Sequence, residues 1–185
     1  MEPRNEKIRR QDRILTDRAR IEEVLAQAKV LRLGMVDEGR PYVVPLHYGY
    51  EWAEAEGKTS LVFYAHGAAE GRKIEVLKKN PEVFVEIDCD MTVVAGDPDI
   101  PCTFGAEYAS LMGDATATIL TDMEEKIHGL IVLMKTQTGR DFEIPEKMAQ
   151  VTAVFKIVVP EYSAKSRPKA TGQVPMPKES GSLPE

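Results

Sequence analysis

The chain has little of what usually identifies a protein at a glance. Two cysteines in 185 residues exclude a disulfide framework and a cysteine-built metal scaffold. Cys89 and Cys102 lie 13 positions apart with no CxxC spacing and are expected to be reduced thiols. No apolar run approaches the roughly 18 residues of a membrane span, so no membrane association is expected. There is no basic excess: 24 Lys and Arg stand against 30 Asp and Glu, a net charge of -6. That excludes a general nucleic-acid binder but leaves room for a local basic cluster that grips one phosphorylated ligand. The stretch from Met1 to Arg20 is densely charged and lacks the apolar core of a secretory signal, so the expected location is cytoplasmic. Neither GxxxxGK[ST] nor GxGxxG occurs, and no internal repeat or Ser-His-Asp or Cys-His nucleophile arrangement stands out. His47, His66 and a cysteine are weak in spacing as a metal set, and no metal is expected.

What is present suits one globular domain, with 43% hydrophobic and 29% charged residues. The domain is expected over residues 1–165, followed by a flexible tail over 166–185 that is rich in proline and small polar residues. The first 15 residues read as a solvated arm. Thr16 or Asp17 can cap a helix, and Ile21, Val24, Leu25 and Ala28 form its apolar stripe. Val30 to Val36 alternates, with Leu31, Leu33 and Met35 on one face. Asp37-Glu38-Gly39 makes a turn, and a second strand, Tyr42 to Tyr50, completes a hairpin. Pro45 cannot donate to a ladder, so that strand is an edge or bulges toward a ligand. Glu51 to Lys58 reads as a loop and Ser60 to His66 as a strand. A helix carrying Ile74 and Leu77 stops at Asn80-Pro81.

Val83 to Cys89 alternates, Asp90 to Gly105 reads as irregular, and Tyr108 to Leu120 is a long strand. Thr121 and Glu124 form a capping box for a helix carrying Ile127, Leu130, Ile131 and Met134. Val151 to Val159 is a last strand, with Val151, Ala153, Phe155, Ile157 and Val159 inward. About six strands and three or four helices, without a βαβ repeat, predict a mainly β (α+β) fold: an antiparallel barrel with peripheral helices.

The chemistry concentrates between Tyr42 and Lys73. Gly67, Ala68 and Ala69 allow close backbone approach to a ligand. The helix that follows offers free amides and a positive dipole end, and Arg72 and Lys73 add two cations within its first turn. A single phosphate monoester suits this arrangement. Alone, however, an Arg-Lys pair opening a helix is most often a solvated face, and strand histidines such as His47 and His66 are most often structural. Residue chemistry by itself stops at a small β-barrel with a phosphate-binding turn.

Four segments extend the reading by resemblance: Ile8 to Asp17 (IRRQDRILTD), Pro41 to Tyr50 (PYVVPLHYGY), Phe63 to Lys73 (FYAHGAAEGRK) and Glu107 to Ala117 (EYASLMGDATA). Together they resemble the nitroimidazole-resistance (Nim-type) branch of the pyridoxamine 5'-phosphate oxidase-like, FMN-binding split-barrel proteins, over roughly residues 8–165. The resemblance implies an antiparallel split β-barrel and FMN as cofactor. It implies that Val44, Pro45, Leu46 and His47 run along the isoalloxazine edge, that Ala65 and His66 lie near the ribityl chain and ring, and that Gly67, Arg72 and Lys73 hold the phosphate. It further implies a homodimer in which Tyr108 and Ser110 of the other subunit complete the pocket.

The chain departs from the family at Ala109, where an arginine is usual, at Gly113, two positions early, and at Ala164, where glycine is usual. The implied activity is a flavin oxidoreductase that takes hydride from a nicotinamide nucleotide or another donor. It would reduce a small acceptor, a nitroimidazole in Nim-type relatives, with His66 as proton donor. Pyridoxamine-phosphate oxidation, flavin reduction, and FMN or heme binding without turnover remain open on the same scaffold.

Overall fold

The computed structural model describes residues 8–55 and 57–167. A 3-10 turn (Gln11–Arg13) and one α-helix, α1 (Arg18–Gln27), precede four strands: β1 (Leu31–Asp37), β2 (Arg40–Leu46), β3 (Tyr48–Ala55) and β4 (Lys58–Gly67). Helix α2 (Arg72–Lys79) leads to β5 (Glu82–Val94) and β6 (Gly105–Ile119), then α3 (Met123–Thr138), α4 (Glu146–Gln150) and β7 (Ala153–Arg167). All ladders are antiparallel, in one sheet ordered β2-β1-β5-β6-β7-β4-β3.

That order explains the barrel. The two edge strands, β2 and β3, are consecutive in sequence with only His47 between them. A seven-stranded sheet whose two edges share one connecting residue must curl until the edges meet. Twist supplies the curl, and no ladder joins β2 to β3, so the barrel is split along that seam. The expected fold class, an antiparallel split barrel with peripheral helices, is the one observed.

The interior is aliphatic and aromatic. Leu31, Leu33, Tyr48, Leu61, Phe63, Ile87, Leu111, Phe155 and Ile157 are essentially fully buried, each contributing on the order of 2 kcal/mol. Tyr48 donates from its hydroxyl to the carbonyls of Leu25 (2.8 Å) and Ala28 (3.1 Å), tying the end of α1 to the barrel. Outside the barrel, α3 covers β3, β4 and β7 over a second cluster containing Val62, Tyr64, Leu130 and Val154.

Several expected boundaries move. The expected strand Tyr42 to Tyr50 breaks at His47 into two edge strands, and the expected loop Glu51 to Lys58 is mostly ladder, pairing from Tyr48↔Ala65 to Ala55↔Lys58. Within the expected irregular segment, β5 runs on to Val94 through a bulge between Cys89 and Thr92. The cap of α3 is Asp122, whose side chain accepts from the Glu125 amide at 3.0 Å, not Thr121. The buried face of α3 is Lys126, Gly129, Leu130 and Leu133, turned from the expected one. Val151 is 74% exposed because α4, which the sequence reading did not anticipate, ends beside it.

Nor is the N-terminal segment wholly solvated. Ile8 is buried, Ile14 bridges to Lys165, and the Leu15 amide donates to the Ala164 carbonyl at 2.9 Å. Ser166 and Arg167, assigned to the tail, belong to β7; the rest of the expected tail, 168–185, and residues 1–7 lie outside the described residues. No helix among the described residues is long and apolar enough to cross a membrane.

Candidate functional site

The corner where β2 passes into β3, and β4 into α2, gathers most of the residues singled out from sequence. Tyr48 pairs with Ala65 in the β3–β4 ladder. One step further along the same register, His47 comes opposite His66. Leu46 and Tyr48 pack on the core side, so His47 between them turns outward, and both histidines are exposed. The His66 imidazole is held below its ordinary pKa by partial burial first, then by His47 and Lys73.

Gly67 ends β4, opposite Ala153. A Cβ on Gly67 would lie 2.7 Å from the Lys73 Nζ, so the ammonium rests against bare backbone. The same Nζ sits 4.8 Å from the centre of the Phe155 ring. Half-buried there, Lys73 has its pKa lowered by desolvation, and no carboxylate among the described residues pairs with it.

Helix α2 is preceded by Gly71, whose φ of +117° disfavours any residue with a side chain. The amides of Ile74 (2.9 Å) and Glu75 (3.2 Å) both donate to the Gly71 carbonyl. The preceding amides, of Arg72 and Lys73, are the open donors of the helix start.

Arg72 behaves differently from Lys73. Its Nε donates to Asp37 Oδ2 at 2.7 Å, and its guanidinium stacks 4.2 Å from the Tyr42 ring centre. The two adjacent cations are therefore not equivalent: one is neutralised and the other is not.

On β2, alternation divides the expected flavin-edge residues. Val44 pairs with Leu33 and Leu46 with Leu31 on the core side, whereas Pro45, opposite Arg32, faces out. Pro45 lies on an edge strand, where a missing donor costs no ladder bond.

Tyr108 and Ser110 are not brought to this corner. Leu46, Leu31, Ile87 and Leu111 form one row across β2, β1, β5 and β6, so the neighbours of its ends, His47 and Ser110, stand three strand spacings apart, roughly 15 Å. Ser110 is buried, and the Tyr108 hydroxyl accepts from Arg13 at 3.3 Å.

Two features escaped the sequence reading. Asp37 and Tyr42, which hold Arg72, come from other strands, and only the fold reveals the contact. His128 of α3 lies 3.0 Å from Glu51 Oε2, while the Tyr64 hydroxyl donates to Glu51 Oε1 at 2.8 Å. These three, with Glu124, Glu125 and Lys156, line a cavity of about 380 Å³ two residues along β4 from His66. Burial, and then Glu51, push the Tyr64 phenol upward. Among the described residues no three His, Cys, Asp or Glu side chains converge as a metal-holding group.

A curled antiparallel sheet left open along its β2–β3 seam is a split barrel. A family model described as pyridoxamine 5'-phosphate oxidase matches residues 17–166, and the chain belongs to that family. Among solved structures it is similar to a "putative 5-nitroimidazole antibiotic resistance protein" from Bacteroides thetaiotaomicron. The two are 29% identical over 83% of this chain and 86% of that one, with a TM-score of 0.67. It is also similar in fold to the flavocytochrome Anf3 from Azotobacter vinelandii, at 19% identity, 96% and 92% coverage and TM-score 0.66. An FAD and heme binding protein from Mycobacterium smegmatis matches at 15% identity, 93% and 94% coverage and TM-score 0.67. No curated protein matches the chain.

Proposed function

We propose that the chain is an FMN-binding flavoprotein that works as a homodimeric oxidoreductase, drawing electrons from a nicotinamide nucleotide to reduce a small acceptor such as a nitro compound. The observation that carries the reading is the Lys73 ammonium, half-buried over Phe155 and against Gly67 with no carboxylate partner among the described residues. A desolvated cation without a counter-ion, beside the open amides of a helix start, is a poor structural device and a good phosphate seat. The donors present fit the phosphate of FMN. The B. thetaiotaomicron relative, described as a nitroimidazole-resistance protein, supports the choice of acceptor.

When bound, a flavin supplies hydride and single-electron transfer at its ring. The chain's residues bind and orient it. Lys73 and the amides of Arg72 and Lys73 take the phosphate and Gly67 gives it room; Ala65, fully buried in the core, lies beneath the ribityl chain, and the backbone of Val44, Pro45, Leu46 and His47 borders the ring. Arg72, held by Asp37 and Tyr42, fixes the start of α2. Largely neutral at pH 7, His66 presents one N–H and one lone pair at an exposed edge and exchanges a proton with the acceptor. Tyr108 and Ser110 of a second copy complete the wall.

The test is the absorbance spectrum of the purified protein, followed by titration with FMN and riboflavin. Flavin bands are expected; a Soret band in their place, or neither, overturns the reading. Lys73→Ala should weaken FMN by roughly 10- to 100-fold, the scale of a lost hydrogen bond to a charged group, and leave riboflavin unchanged. Arg72→Ala should cost less, because its guanidinium is already committed to Asp37. Equal weakening of FMN and riboflavin by Lys73→Ala would remove the phosphate from this corner.

A further inference from the structure

The ends of β5 and β6 project as an arm with a built backbone and no core of its own. No residue from Met91 to Ala106 is buried, and Met91, Val93, Ile100 and Phe104 are exposed. The ladder nonetheless continues from Thr92↔Glu107 to Val94↔Gly105. Beyond it the Asp97 amide donates to Thr103 Oγ1 and the Thr103 hydroxyl to the Ile100 carbonyl, both at 2.7 Å. One edge of this arm is open. β7 accompanies β6 only as far as Tyr108↔Arg167. Gly105, Ala106 and Glu107 therefore pair with β5 on one side and with no strand among the described residues on the other. An open strand edge beside exposed apolar side chains is a surface for one more strand.

Direction, backbone alternation and charge indicate which strand. Antiparallel to β6, the chain leaving Arg167 heads along the open edge toward the tip of the arm. The Arg167 guanidinium already lies against Gly105, where a Cβ would overlap it. The Leu15 amide donates to the Ala164 carbonyl, so Ala164 turns its main-chain groups away from β6. By alternation Lys165 and Arg167 turn theirs toward β6, and Ser166 turns away. In a strand that continued, Pro168 would also turn away, so its missing N–H would cost β6 no bond. Lys169 would then come opposite Ala106 and Thr171 opposite Phe104, in the register that Tyr108↔Arg167 sets. The charges agree. The arm has Asp97 and Asp99 at its tip and no Lys, Arg or His from Met91 to Glu107. Tyr162 to Lys178 holds four Lys and Arg and no Asp or Glu, and opposite charges favour the contact.

We propose that residues 168–176 dock on the arm of their own chain. Pro168 to Thr171 prolong β7 along the open edge of β6, Gly172 turns the chain, and Val174 and Met176 cover Val93 and Phe104. The docking does not rest on the flavin reading.

Residue-resolved amide hydrogen exchange tests it in the full chain, in a chain ending at Arg167, and in two proline variants. The Ala106 amide faces the open edge, whereas the Glu107 amide faces β5. Ala106 should exchange about tenfold or more slowly in the full chain than in the truncated one, with Glu107 little changed. Lys169→Pro removes a donor that faces β6 and should release Ala106 as the truncation does. Ala170→Pro alters the neighbouring residue, which faces away, and should leave Ala106 protected. Because the two variants differ by one position, a general loss of folding would not separate them. Ala106 exchanging equally fast with and without residues 168–185, or the two proline variants behaving alike, would overturn the proposal. So would protection that fades on dilution, since the segment on this edge would then come from a second copy.

Discussion

His66 shows how one residue's environment limits what it can do. Partial burial, His47 and Lys73 all oppose its positive charge, so its folded pKa lies below the ordinary value near ~6.5. The unfolded chain then binds protons more readily than the folded one. The His66 contribution is fully present above the unfolded pKa and is lost as pH falls through that value toward the folded one. Chemical-shift titration should give His66 a midpoint below the ordinary imidazole value. Replacing His47 with Gln should move the midpoint up. No movement would mean that burial and Lys73 set it. A bound phosphate should also move it up, by compensating Lys73. In turnover, His66→Gln should slow acceptor reduction by roughly 10²-fold while FMN stays bound, the usual scale for a lost proton-transfer group. Unchanged turnover would remove His66 from the chemistry.

At the level of elements, α3 packs on β3 with almost no clearance. Gly49 of β3 lies directly beneath the α3 backbone at Val132 and Leu133, and a Cβ there would overlap main-chain atoms. Because no rotamer change relieves a backbone clash, Gly49→Ala should destabilise by about 3 kcal/mol or more, at the upper end of overpacking. A thermal or denaturant melt checks this, and a loss under ~1 kcal/mol would mean that α3 rides looser on β3. The start of α3 gives a smaller test. Asp122→Ala should cost about 1 kcal/mol by removing the cap, and Thr121→Ala almost nothing. The reverse order would restore the capping box read from sequence.

The same elements show what the sequence made legible. Leu31, Leu33 and Met35 alternate on a strand with one buried face, so pattern and structure agree. β3 was missed because it is an edge strand that carries Glu51 on one face and Glu54 on the other, a polarity that reads as loop. β7 continues past Pro160 because the proline falls at a bulge: pairing resumes at Asp114↔Glu161 after Thr116↔Val158. At the site, glycine and cation spacing pointed to the phosphate turn. The unequal fates of Arg72 and Lys73 depend on Asp37, Tyr42 and Phe155, three residues brought near only by the fold.

At the scale of the molecule, the sheet order bears on assembly. The corner and the Tyr108–Ser110 segment flank one row of β2, β1, β5 and β6, roughly 15 Å apart. Within one chain the intervening outer face is occupied by Arg32, which bonds Glu86 at 2.8 Å and also pairs with Asp88. A second copy related by a two-fold axis can bring its Ser110 toward this chain's His47, and symmetry then repeats the contact, giving two equivalent sites. The flavin-loaded protein should therefore scatter light as twice the 20.6 kDa chain mass, with one flavin per chain. Arg32→Glu should weaken association, since it places like charge beside Glu86 and Asp88 on the face between the two sites. A flavin-loaded monomer at micromolar concentration would break the link between the pocket and a second copy. Tyr108 and Ser110 would then be ordinary residues of β6, and the corner would have to hold its ligand with the residues of one chain.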